Sequence, residues 1–280
     1  MFKDVEMKWM LIIAMLFAGL VPLIGTGLYA LNGAGNALQE KGFDQLKSLK
    51  TVKKAEIENY FQQIENQVIT LSENQMTIDM MREAKESFHA LGKDLEVDGN
   101  KLADYQSDVR RFLNNEFGAK FTNDTGESIL AGQLMAASNS GAIAQYLYIS
   151  NNTNPNGSKS LLEDAQDGSA YSSSHAKHHP ILRSYLERFG YYDIFLVDHK
   201  TGDVIYSVFK EIDYGTNLYK GAHKNTGLAD VVRQAANSRS SNETFINDFD
   251  WYVPSYNAAA SFISSPIFEG DEMLGVLVFQ

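Results

Sequence analysis

The chain has 280 residues, a formal net charge of −11 and no cysteine. Without cysteine there is no disulfide framework, no thiolate metal site and no thiol nucleophile, and the acidic balance argues against nucleic acid, whose phosphates need clustered Lys and Arg. With 44% hydrophobic residues, 16 Phe and 14 Tyr, an ordinary apolar core can hold one globular domain with extended helix, or two small domains.

Trp9 to Leu31 (WMLIIAMLFAGLVPLIGTGLYAL) carries no charge over 23 positions. At about 1.5 Å per residue that run, as a helix, crosses a hydrocarbon core of roughly 30 Å. It also exceeds the apolar core of a cleaved signal peptide, about 7–15 residues, which is the rival reading suggested by Lys3, Lys8 and the small pair Gly25 and Gly27. Pro22 is tolerable in lipid, where neighbouring groups satisfy the freed carbonyl. Lys3 and Lys8 place residues 1–8 in the cytoplasm by the positive-inside rule, although Asp4 and Glu6 dilute the signal. Residues 9–31 are then a transmembrane helix, and the remainder lies outside.

Residues 32–141 read as a helical stalk and a connecting helix. From Gly35 to Phe88 there is no proline, and Phe43, Ile57, Ile64, Leu71 and Ile78 fall on one seven-residue register, with Lys50 interrupting it. The spacing predicts one long helix with a packing stripe, against a copy of itself or a later helix. The glycine-bounded stretch Gly92 to Gly99 predicts a turn, and Leu102, Tyr105, Val109, Phe112 and Phe117 predict a second helix over about 101–117.

Beyond it the pattern becomes β-like. Ala144 to Ile149 (AQYLYI) predicts a short strand, followed by turn formers from Asn151 to Gly157. Tyr191 to Asp198 and Val204 to Phe209 predict a hairpin across His199–Asp203, and Ala260 to Phe268 with Met273 to Phe279 predict a second one. Between the hairpins, Leu228, Val231, Val232 and Ala235 carry helical spacing. The order is that of an α+β fold with one antiparallel sheet of about five strands. A very apolar strand ending one residue before Gln280 suggests a longer natural protein.

An N-terminal crossing, a long outer helix and a five-stranded antiparallel sheet resemble the extracytoplasmic Cache (PAS-like) sensors of bacterial receptors. In particular AQYLYISNNTNPNGSK, DGSAYSSSHAKHHP, FGYYDIFLVDHKTGDVIYSVFKEIDYGTNL, GLADVV and SFISSPIFEGDEMLGVLVFQ resemble the membrane-distal module of a double-Cache methyl-accepting chemotaxis protein, over about residues 142–280. The resemblance implies a ligand-sensing module at 142–280, cut off after that module. It implies a small-molecule ligand, a homodimer in the bacterial inner membrane with the sensor periplasmic or extracellular, and a cytoplasmic chemotaxis adaptor and kinase reached through an output domain not encoded here. Similar modules also precede nucleotide cyclases, and the alternative reading keeps the sensor with a nucleotide cyclase, diguanylate cyclase or histidine kinase output. No cofactor is implied.

In such a module the ligand lies between one sheet face and the segments over it, here 151–183. The expected ligand-binding residues are Tyr146, Tyr148, Tyr171, Arg183, Tyr192, Asp193, Tyr206, Asp250, Trp251, Tyr252 and Tyr256. Rings cover a stem, the guanidinium pairs with a carboxylate, and the carboxylates pair with an amine. Tyr146 and Tyr148 share a face if their strand is regular. The family's amino-acid pattern sets an Arg just before the Trp–Tyr pair, and none precedes Trp251. The densest ligand-like cluster is His175, His178 and His179, which could hold Zn²⁺ or Cu²⁺ in an anchored enzyme. Without an HExxH motif, and with Pro180 expected to open a helix over 181–189, a polar loop near the pocket is the plainer reading. No G-x-S-x-G or glycine-rich phosphate loop is present, and Asp193 and Asp198 flank a strand on opposite faces. Catalysis is therefore not expected.

Overall fold

The computed structural model describes residues 7–280; Lys3, Asp4 and Glu6, on which the cytoplasmic reading of the N-terminus leaned, lie outside the described residues. The chain divides into two compact units, the first ending at Gln62 and the second running Gln63–Gln280. Helix α1 (Met7–Ser72) is, among the described residues, the one helix long and apolar enough to cross a membrane. Its Leu, Ile, Phe and Trp side chains from Trp9 to Leu31 are exposed. Within that stretch the Thr26 hydroxyl donates to the carbonyl of Pro22 at 2.8 Å.

The second unit is α+β. It continues with α2 (Gln75–Asp94), α3 (Gly99–Phe112), a π-helical turn over Leu113–Phe117, α4 (Gly118–Thr125), α5 (Asn139–Gln145), a second π-helical turn over Tyr146–Ser150, and α6 (Ala170–Phe189). Strands β1 (Ile194–Val197) and β2 (Val204–Ser207) precede α7 (Gly227–Ala235). Then come β3 (Phe245–Ile246), β4 (Asp250–Tyr252), β5 (Ala258–Ala260), β6 (Ile263–Glu269) and β7 (Glu272–Phe279). The main sheet has five strands in the order β2-β1-β7-β6-β3, its four pairings all antiparallel, and β4 and β5 form a separate ribbon.

Strands β1 and β2 and most of β6 and β7 are buried on both faces, and their alternation sorts the core into two. Ile194, Leu196, Ile205, Leu277 and Phe279 join the side that carries α2 and α6, with Met81, Phe88, Tyr171 and Leu182. Phe195, Val197, Val204, Val276 and Val278 face Leu228, Val231 and Val232 of α7 and Phe262. Gly275 in β7 lets α2 approach the sheet: a Cβ there would lie 2.2 Å from Met81 Cε and 2.7 Å from the carbonyl of Val197.

Both predicted hairpins and the α7 helix are present. Four expectations are corrected. The helix expected to run unbroken from Gly35 to Phe88 stops at Ser72 and restarts at Gln75. Asn74 turns extended and accepts from the Met76 amide at 2.9 Å, a capping geometry that needs neither Gly nor Pro. Residues 144–149 are helical rather than a strand, so the fifth strand is β3. This segment extends α5, itself capped by Ser138, and burial on nearly every side erases the polar period that would distinguish helix from strand. Pro180 lies inside α6, not at its start, because Ser169 caps the helix eleven residues earlier through the Ser172 amide at 3.1 Å. The helix expected over 101–117 is longer, continuing through α4 to a left-handed Gly126.

Candidate functional site

The loop leaving β2 organises the site. Lys210 adopts a left-handed φ of +62°, rare for a residue with a side chain, and the turn carries Lys210, Glu211 and Asp213 inward, each buried or nearly so. A cavity of about 240 Å³ opens above it. Phe112, Phe117 and Lys120 line it from the α3–α4 run, Asn156, Gly157 and Lys159 from the following loop, Phe209 to Ile212 from below, and Pro254 and Tyr256 from the turn after β4. Tyr192 and Ile149 complete the wall. Five separated stretches of chain thus converge on one small space.

Aromatic faces and ammonium groups alternate around it. Phe117 stacks on Tyr256 at 4.8 Å between centroids, and Lys120 Nζ stands 4.5 Å from the Tyr256 ring while pairing with Asp124. Lys159 is buried; its Nζ donates to the Asn152 carbonyl at 2.6 Å and lies 5.1 Å from the Phe112 ring. Lys210 Nζ donates to the Ser207 carbonyl at 3.1 Å, with the Tyr206 and Tyr148 rings 5.4 and 5.6 Å away. Burial lowers the Lys210 ammonium to about 7, against an opposing pull from Asp193.

The carboxyls beneath are held by neutral donors. Glu211 accepts from the hydroxyls of Tyr192 at 2.8 Å and Ser255 at 2.6 Å, and burial, reinforced by Asp213, pushes it well above the usual carboxylate range. Asp213 accepts from the Tyr252 hydroxyl at 2.6 Å and is raised to about 6 by burial. Asp193 accepts from Ser207 Oγ at 2.6 Å and from the amides of Val208 and Phe209 at 2.9 Å each. Gln280 Nε2 donates to Ser255 Oγ at 3.1 Å, and the Gln280 main chain exchanges hydrogen bonds with Tyr192 and Asp193.

Behind Lys210 lies a closed cluster of rings. Tyr171 and Tyr214 hydroxyls are 2.7 Å apart, and the Tyr148 and Ser172 hydroxyls 2.8 Å apart. His179 bonds the Tyr206 hydroxyl through Nδ1 and the Ser160 carbonyl through Nε2, both at 2.7 Å. His175 stacks on His179 at 4.4 Å, and burial, with Lys210 nearby, depresses its pKa.

Of the residues expected to bind ligand, Tyr192 and Tyr256 line the cavity. Tyr148, Tyr171, Tyr206 and Asp193 are buried beneath or behind it, and Tyr252 is buried against Asp213. Tyr146 is not on a face with Tyr148: it stacks on Tyr105 at 3.8 Å, because on a helical turn residues two apart diverge. Arg183 engages Glu163 and Glu187 at 3.4 and 3.7 Å, away from the cavity lining. Asp250 and Trp251 stand exposed on the ribbon. His175, His178 and His179 lie on α6, not in a loop, and each faces its own partner, His178 meeting Glu83 at 3.1 Å. Among the described residues no three His, Asp or Glu side chains are grouped to hold a metal. The sequence reading missed Lys120, Lys159, Lys210, Glu211 and Asp213. The run Lys210-Glu-Ile-Asp213 directly after an apolar strand was the legible signal for three of them.

No family model matches the chain, and no curated protein matches it. Among solved structures it is similar to the sensor domain of the V. cholerae histidine kinase DctB, at 16% identity and a TM-score of 0.28, over 64% of this chain and 54% of that one. The chain therefore spans about half of that domain's length.

Proposed function

We propose that this chain is the membrane-anchored, extracytoplasmic sensing region of a signalling receptor, and that it binds a small polar molecule in the cavity over the β2 loop. The observation that carries the reading is the cavity itself. Its walls come from five separate chain segments, two of its lysines, Lys159 and Lys210, are buried, and its aromatic faces can cover an apolar stem. A bound molecule that prefers one arrangement of those segments shifts the population between two states of the module, by no more than its differential affinity for them. The apolar start of α1 supports the anchor.

The resemblance of residues 142–280 to the distal module of methyl-accepting chemotaxis receptors supports a chemotactic output, through a cytoplasmic adaptor and kinase, in the inner membrane. Phe43, Leu46, Ile57 and Tyr60 of α1 are exposed on one spacing, which supports a parallel homodimer. The role is proposed as non-catalytic, since the three imidazoles of α6 are each engaged separately.

A thermal-melting screen of the full chain in nanodiscs against a metabolite library tests the reading. One saturable stabiliser is expected. A library with none, together with protease added to intact cells that spares the sheet module, would sink it.

A further inference from the structure

We propose that the cavity takes a small organic carboxylate, its anionic end held by Lys159 and Lys210 and its carbon stem covered by Phe112, Phe117 and Tyr256. The inference deepens the sensor reading and rests on it.

Two buried ammonium groups line one space. Lys159 is 6% and Lys210 2% exposed. Among the described residues neither forms an ion pair; their partners are neutral: main-chain carbonyls, aromatic faces and, for Lys210, the His179 Nδ1 at 3.5 Å. Burying an ammonium costs hydration that neutral carbonyls repay only in part, which is why burial lowers the Lys210 pKa to about 7; an arriving carboxylate favours its charged form. A protein carries two such groups into one pocket at a standing loss, and a carboxylate reaching them gains charge-assisted hydrogen bonds from donors already desolvated. Lys120 at the wall adds positive potential, although Asp124 offsets it.

The opposite ligand charge is disfavoured on the same geometry. A cation entering would meet both ammonium groups. Its one carboxyl partner in the lining, Glu211, already accepts from Tyr192 and Ser255. Size narrows the class further: about 240 Å³ lies below the roughly 300–1,000 Å³ of sites for drug-sized molecules, so the ligand has few carbons. The stacked Phe117–Tyr256 pair and the Phe112 ring are of no use to a bare inorganic anion, which favours an organic one.

The test is thermal melting of the full chain in nanodiscs at constant ionic strength, with acetate, succinate and L-glutamate as carboxylates. Sulfate serves as the inorganic anion, ethanolamine as the cation and glycerol as the neutral control. At least one carboxylate is expected to raise Tm saturably by on the order of 5 °C. Its affinity should drop about tenfold or more in Lys159→Met and in Lys210→Met, as for loss of a charged hydrogen bond. Lys159→Gln provides a second variant should Lys210→Met not fold. Three outcomes overturn the proposal: no carboxylate acts saturably, sulfate acts as strongly as the best carboxylate, or the lysine variants bind as the parent does. If ethanolamine or glycerol alone stabilises, the carboxylate class falls while the sensor reading survives. If neither these probes nor the wider metabolite library acts, both fall.

Discussion

The Tyr252 hydroxyl donates to Asp213 Oδ2 across 2.6 Å, tying the β4–β5 ribbon to the loop that leaves β2. Both side chains are buried, Asp213 completely. Removing the hydroxyl leaves a desolvated carboxyl short of its donor. Tyr252→Phe is therefore expected to cost about 1–3 kcal/mol of stability, read as a shift in urea midpoint at unchanged slope. A shift worth less than about 0.5 kcal/mol would show that the contact is not formed in solution.

Asp213 also sets a pH dependence. Its folded pKa, raised from 3.8 to about 6, means that the native state keeps a proton the unfolded chain has already released between those values. Its contribution is complete below about pH 4 and is lost as pH rises through about 6, a fall on the order of 3 kcal/mol. Asp213→Asn should flatten that part of the profile. Denaturation curves of parent and variant at pH 4.5, 6 and 7.5 should therefore differ in slope with pH; parallel profiles would refute the assignment.

Gly275 and Met81 should be energetically coupled. A methyl at residue 275 meets the Met81 thioether, and also the Val197 carbonyl, at distances no side chain tolerates. Gly275→Ala should cost about 1–3 kcal/mol through overpacking, and Met81→Ala about 2–5 kcal/mol through the space it leaves. Because the added methyl fills part of that space, the double variant should be less destabilised than the sum, by about 0.5–3 kcal/mol. Strict additivity would mean that α2 does not rest on β7 here.

Much of the sheet was legible in the sequence because β1, β2, β6 and β7 combine β-branched and aromatic runs with glycine-bearing turns, which are local signals. The stretch 144–149 was not legible. YLYI alternates like a strand, yet the Ser138 cap and burial on nearly all sides make it helix, and a segment without a polar face has no period to read. Pro180 misled for a related reason, since Ser169 and the buried rings of His175, His178 and His179 hold α6 together through it. At the site, tyrosines drew notice because they are large, but most of them fill the interior. Lys159 and Lys210 are single lysines in irregular segments, and only the tertiary fold shows that both are buried and line one cavity.

Strand β7 is the middle of the sheet, and Gln280, the residue that follows it, is linked to the cavity. Gln280 reaches Ser255, and Ser255 reaches Glu211, so two hydrogen bonds join the cavity floor to one end of the strand. Further along, Gly275 presses against Met81 of α2 with no slack. One strand, paired on both sides by β1 and β6, together with the residue that follows it therefore carries both the tie to the cavity floor and the close contact with α2.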